Sequence, residues 1–140
     1  MDKIAVIYWS GTGNTEAMAN AIAQGIKEAG GEADVFAVSD FAADTFDSYK
    51  KVALGCSAMG DEVLEEAEFE PFFCDIENKL GNKKVALFGS YGWGDGKWMR
   101  DWEERVPGAS LFEEGLMVNG MPSGASKDEC IAFGKRFAQC

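Results

Sequence analysis

The sequence contains no histidine, which removes His-based triads and most zinc and haem sites from consideration. Its four cysteines, Cys56, Cys74, Cys130 and Cys140, form no C-x-x-C pair, so they read neither as a metal site nor as a redox dithiol. Buried or idle thiols in a reducing cytosol are the expectation. No apolar run approaches membrane-spanning length, and a strand pattern starts directly after Lys3, so a cytoplasmic chain without a cleavable leader is expected. Positive charge is scarce: 13 Lys and Arg stand against 24 Asp and Glu, a formal net charge of −11. Nucleic acid and anionic membrane are therefore poor partners, and a basic protein surface is a good one. What remains is globular: 140 residues, 46% apolar and 12% aromatic, are enough for one domain, residues 1–140, around a sizeable core.

One stretch organises the chain, Ser10-Gly11-Thr12-Gly13-Asn14-Thr15. It follows the apolar run Ile4 to Trp9, which reads as a buried parallel strand, and precedes Met18, Ala21, Ile22, Ile26 and Ala29 at helical spacing. A strand that breaks at two glycines and re-forms as a helix turns unpaired N–H groups, and the positive end of the helix dipole, toward an anion. Ser10, Thr12, Asn14 and Thr15 add short polar side chains that can hydrogen-bond a phosphate oxygen. The stretch holds no lysine, so it is no Walker loop, and Glu16 stands where a dinucleotide fingerprint needs its third glycine. A polar strand-to-helix turn with no ligand is the plainer alternative.

Further along, Gly30-Gly31 ends the first helix and Glu32 to Val38 reads as an edge strand. Residues 39–50 form a connection with at most a short helical turn. Lys51 to Cys56 and Lys84 to Ser90 read as central strands. Phe69, Phe72, Phe73, Ile76 and Leu80 mark a helix with Pro71 in its first turn and Gly81 at its end. Trp98, Met99, Trp102 and Val106 mark another, stopped by Pro107. Ser110 to Val118 reads as an uninterrupted fifth strand, and Ser126-Lys-Asp-Glu129 as the capping box of a last helix that turns Ile131, Phe133 and Phe137 inward. Strands alternating with helices predict an α/β fold with a parallel sheet covered on both faces. Ligands of such sheets bind beyond the carboxyl ends of the strands, where the loops at 10–15, 57–62 and 90–96 converge.

The second loop reads Ser57-Ala58-Met59-Gly60-Asp61-Glu62 and the third Ser90-Tyr91-Gly92-Trp93-Gly94-Asp95-Gly96. Met59 suits either packing or one face of a flat ring system. Trp93, set between two glycines, is hard to explain as core. Trp98 and Trp102 sit at helical spacing and read as packing. Together these three motifs resemble the phosphate loop and the two flavin-flanking loops of short-chain flavodoxins of the clostridial type, and the resemblance runs over nearly the whole chain.

That resemblance implies a flavodoxin-like three-layer sandwich with a five-stranded sheet in the order 2-1-3-4-5 and non-covalently bound FMN. It implies a low-potential one-electron carrier, not an enzyme, cycling mainly between the neutral semiquinone and the anionic hydroquinone. Ser10, Thr12, Asn14, Thr15 and Ser57, with the amides around Gly11 and Gly13, would hold the phosphate. Met59 and Trp93 would sandwich the ring, and Glu62 would accept from its N3–H. Gly60, Asp61 and Gly92 would offer amides, within loops that also bring Ala58, Ser90, Tyr91 and Gly94 to the cofactor. Asn119 would add a contact from the fifth strand. A flip of the peptide after Gly60 would present its carbonyl to the flavin N5 proton, which asks for positive φ in a type II′ turn.

The acids Asp61, Glu62, Glu65, Glu66, Glu68 and Glu70 read either as a solvated face or as a negative rim that steers basic redox partners to a monomeric carrier. No metal site is expected. An FMN-dependent NAD(P)H:quinone reductase of the same fold is the competing enzyme reading, but both ring faces would be covered by Met59 and Trp93. A phosphate-accepting receiver would need acids at the end of the first strand, where this chain has Ser-Gly-Thr-Gly.

Overall fold

The computed structural model describes residues 3–140; Met1 and Asp2, on which the expectation of no leader bears, lie outside the described residues. Five strands, β1 (Lys3–Trp9), β2 (Glu32–Ala37), β3 (Lys51–Cys56), β4 (Lys84–Tyr91) and β5 (Leu116–Asn119), form one sheet in the order β2-β1-β3-β4-β5. Each neighbouring pair is parallel. Four helices, α1 (Asn14–Glu28), α2 (Phe69–Ile76), α3 (Lys97–Glu103) and α4 (Ala125–Gln139), complete the flavodoxin-like sandwich. Among the described residues no helix is long and apolar enough to cross a membrane.

Strand periodicity divides the core in two. Ile4 and Val6 of β1 pack with Met18, Ile22, Phe133 and Phe137 of α1 and α4, whereas Ala5 and Ile7 pack with Phe69, Phe73, Trp98 and Trp102 of α2 and α3. Because both faces of β1, β3 and β4 are buried, these strands read as continuous apolar runs and not as alternating ones. Helix α1 is held hard against α4: a Cβ on Gly134 would stand 2.1 Å from the Ile22 carbonyl oxygen, and one on Gly25 would stand 1.9 Å from that of Ile131.

Several sequence expectations need correction. The fifth strand is not uninterrupted. Leu111 makes an isolated bridge to Val85, the chain then bends with Glu113 at φ +52°, and regular pairing begins only at Leu116. Two adjacent glutamates cannot enter the sheet interior; Glu113 turns out to pair with Arg136 through two 3.0 Å hydrogen bonds. The capping box does not form either, because α4 starts at Ala125 and the Ser126 hydroxyl bonds to the Ser123 amide and carbonyl. Gly81 does not end its helix in a left-handed cap, since α2 stops at Ile76 and a 3₁₀ segment (Glu77–Asn82) carries Leu80 into the core.

Helix α2 begins with a cap absent from the sequence reading. Glu65 is only 8% exposed, and its carboxylate accepts the amides of Ala67, Glu68 and Phe69 at 2.7–2.9 Å. Burial alone would raise its pKa; the three amides outweigh burial and hold it below the usual value of 4.5. A depressed folded-state pKa makes this contribution complete above the unfolded value, and it is lost as pH falls through the folded one. Glu65→Ala is expected to lower stability by about 1–2 kcal/mol near neutral pH, the range of a lost cap. The difference from the parent should shrink below pH ~4, as urea unfolding at several pH values would show.

Candidate functional site

At the carboxyl edge of the sheet β1 ends at Trp9, and α1 begins at Asn14 after four intervening residues. Gly13 takes φ +93° at the N-cap, where no side chain caps the helix, and its amide donates to Ser10 Oγ at 3.0 Å. The first-turn amides of α1 consequently face outward with the helix dipole behind them. Thr15, fully buried, lies just below. Its Oγ1 accepts the Ser90 amide at 3.2 Å and lies 2.6 Å from Ser57 Oγ. Two hydroxyls joined by one hydrogen bond leave a second hydrogen free to donate to an anion bound beside them.

These groups flank an open cavity of about 270 Å³. The first loop contributes Gly11, Thr12 and Asn14 to its lining, the second Ser57, Ala58 and Met59, and the third Ser90, Tyr91 and Gly92. Nine of the expected residues thus meet in one place. Two unexpected ones join them, Trp9 from the end of β1 and Gly120 from the end of β5. The strand pattern held the signal for Trp9, since alternation along β1 puts it on the face of Ala5 and Ile7, at the carboxyl end of the strand. Asn119 is exposed and does not line the cavity.

The remaining expected residues surround this centre in other ways. Ser90 is buried and acts as a tie: besides its bond to Thr15, its hydroxyl donates to the Gly120 carbonyl at 2.7 Å and its carbonyl accepts the Ala58 amide at 3.0 Å. Gly60, Asp61 and Glu62 form the tip of a hairpin closed by two hydrogen bonds between Met59 and Val63, of 2.9 and 3.0 Å. Gly60 has φ +48° and Glu62 φ +59°. The positive φ at Gly60 agrees with the turn reading; the one at Glu62 was not foreseen. It aims the carboxylate at α3, where Oε1 accepts the amides of Gly96 and Lys97 at 3.2 and 3.1 Å. Gly94 leaves room for it, because a Cβ there would stand 2.4 Å from Glu62 Oε1. Trp93, 66% exposed, stands away from the core.

The acidic run is neither wholly solvated face nor wholly rim. Glu65 caps α2, and Glu70 forms a two-bond pair with Arg105 at 2.7 Å, which keeps its carboxyl below the usual range. In the third loop, Asp95 bonds Arg100 at 3.1 Å. Asp61, Glu66 and Glu68 stay exposed. The cysteines divide similarly. Cys56 and Cys130 are buried thiols pushed up by burial to about 12 and about 11, while Cys74 and Cys140 are exposed.

FMN is the group that the motifs imply, and the donor set fits it. An uncapped helix start, a spare hydroxyl hydrogen and small polar side chains suit a phosphate. An apolar wall of Trp9, Ala58 and Met59 suits a flat organic body beside it.

The comparisons with known proteins agree. The family model described as flavodoxin matches residues 6–134. A flavodoxin of Clostridium beijerinckii is 56% identical over 135 residues, covering 95% of this chain and 97% of its own. A flavodoxin of Megasphaera elsdenii is 46% identical over 138 residues, covering 97% and 98%. The solution structure of the two-electron reduced M. elsdenii flavodoxin superposes with a TM-score of 0.88 over 98% of this chain and 99% of that one, at 45% identity. The chain belongs to the flavodoxin family, proteins that bind FMN and transfer electrons and are not enzymes.

Proposed function

We propose that this chain is a low-potential one-electron carrier that works as a single monomeric domain in the cytoplasm, moving mainly between the one-electron and two-electron reduced forms of non-covalent FMN. The observation that supports this best is the donor set around Thr15, which offers hydroxyls and amides to a phosphate with no lysine or arginine in the loop. Bound FMN supplies one-electron chemistry; the chain supplies position and field. Ser10, Thr12, Asn14, Thr15 and Ser57 hold the phosphate with the loop amides. Met59 and Trp93 cover the two ring faces, which leaves little room for a nicotinamide or quinone. Glu62, with Oε1 committed to α3, offers Oε2 to the ring's polar edge beside the amides of Gly60, Asp61 and Gly92. Asn119, exposed at the end of β5 and outside the cavity lining, would add a contact from the fifth strand.

Uncompensated phosphate charge in a chain of net charge −11 disfavours adding a further negative charge. A carboxylate about 10 Å away contributes roughly 1.7 kcal/mol, or about 70 mV, at an effective dielectric near 20, and less in salt. Asp61 and Glu66 are the informative positions, because Glu62 and Asp95 have structural partners. The same surplus steers basic redox partners toward the site.

Stepwise dithionite reduction of the FMN-loaded chain, followed in the visible, tests the reading. The expected result is two resolved one-electron steps, the second at low potential; colourless protein that takes up no FMN refutes it. Asp61→Asn combined with Glu66→Gln is expected to raise the second potential by several tens of millivolts at low salt, up to about 70 mV per charge, and an unshifted potential counts against the electrostatic account.

Gly60 controls the first step. Presenting its carbonyl to a flavin proton requires the 60–61 peptide to turn into an arrangement that glycine alone adopts without strain. A Cβ at Gly60 meets no atom within 4 Å, so Gly60→Ala isolates the backbone term. Gly60 already stands at φ +48°, so only the extra strain of the turned form counts, and Gly60→Ala is expected to lower the first potential by at most about 90 mV, the equivalent of about 2 kcal/mol of left-handed strain.

A further inference from the structure

Trp9 is the one large side chain in the cavity wall to which the flavodoxin resemblance gave no role, and its surroundings are specific. Its backbone is fixed in the sheet, paired with Cys56 of β3 directly beside Ser57. Its ring packs against the α2/α3 core on one side and lines the cavity on the other. The indole N–H donates to Glu68 Oε1 at 3.3 Å, which ties the ring to the segment ahead of α2. Gly11, in the middle of the phosphate loop, lies over the ring. A Cβ on Gly11 would stand 3.0 Å from Trp9 Cη2, a tight contact, and 3.5 Å from Cζ3, an ordinary one. The loop backbone therefore passes close beside the indole, and a side chain at residue 11 would press on the ring.

We propose that Trp9 is a positioning residue for the phosphate end of the cofactor: its indole is a fixed plate that holds residues 10–13 in their anion-binding shape. This rests on the FMN reading and deepens it. The physical case is one of preorganisation. The loop's side-chain bond to its own backbone is the single contact between Ser10 Oγ and the Gly13 amide, so its shape depends on a wall outside it. A plate held by the sheet below, the core behind and Glu68 at its edge supplies that wall. Affinity for the phosphate then depends on the ring face, whereas affinity for the isoalloxazine depends on Met59, Trp93 and the second and third loops. The two parts of the ligand are separable, and so are their tests.

The full chain, freed of flavin, is titrated with FMN, with riboflavin, which lacks the phosphate, and with inorganic phosphate, for the parent, Trp9→Ala and Trp9→Phe. Trp9→Ala is expected to weaken FMN and inorganic phosphate by about tenfold or more while riboflavin stays within about twofold, and Trp9→Phe, which keeps a ring face, to recover most of the loss. FMN and riboflavin weakening by the same factor would show a general scaffold role and overturn the proposal, as would no change in either. Should Trp9→Ala fail to fold, Gly11→Ala substitutes: a phosphate-selective loss that Trp9→Phe relieves supports the plate, and a loss that Trp9→Phe leaves unrelieved overturns it. A parent chain that binds no FMN refutes the functional reading along with this proposal, whereas a parent that binds FMN with variants whose FMN-to-riboflavin ratio is unchanged refutes this proposal alone.

Discussion

The Thr15 hydroxyl is the point on which the site depends. It is fully buried, accepts an amide from β4 and shares a hydrogen with Ser57, directly after β3, while its own backbone lies in the first turn of α1. Three loops that are distant in sequence are thereby referred to a single oxygen. Ser90 extends the network to the Gly120 carbonyl and the Ala58 amide, so the end of β5 belongs to the same frame. Buried polar networks of this kind stabilise only when every member is paired. The hydrogen left over between Thr15 and Ser57 has no acceptor among the described residues, which suits a ligand phosphate.

Charge is distributed with comparable economy. Four of the acids around the second and third loops serve as helix caps or ion pairs: Glu62 for α3, Glu65 for α2, Glu70 for Arg105 and Asp95 for Arg100. Each keeps its charge where the fold needs it, so neutralising such a residue alters structure and field together. Among the described residues Asp61 and Glu66 have no hydrogen-bond or ion-pair partner, so they report the field more cleanly. Counting carboxylates along the chain overlooks this difference, because what matters is which amides and guanidinium groups the fold brings to each one.

That difference also explains what could be read from residue order and what could not. β1, β3 and β4 were legible within a residue because both of their faces are buried, which leaves an unbroken apolar signature. The segment from Ser110 onward looked equally apolar at its ends, yet Glu113 and Glu114 bend it out of the sheet toward Arg136, a partner on α4 that local pattern does not contain. The cap by Glu65 and the reach of Glu62 to Lys97 were hidden for the same reason, since their partners exist only after folding. Nine loop residues did meet in the cavity, because motifs at strand ends inherit their location from sheet topology. Trp9 escaped notice because a residue that ends a strand looks like core until its face is assigned.

A phosphate bound by neutral donors is a compromise between affinity and potential. A lysine in the loop would strengthen the grip through charge and, by the same field, make further reduction easier, moving the potential upward. A site meant to hold its cofactor tightly while keeping that potential low must draw affinity from geometry. The shared Thr15 oxygen serves that end, and in our proposal so does the indole beside Gly11, because each restricts the loop before the ligand arrives. The ring end is built differently: Gly60 stands at φ +48° in a hairpin tip and Trp93 is 66% exposed, so there the chain offers loops and not a buried frame.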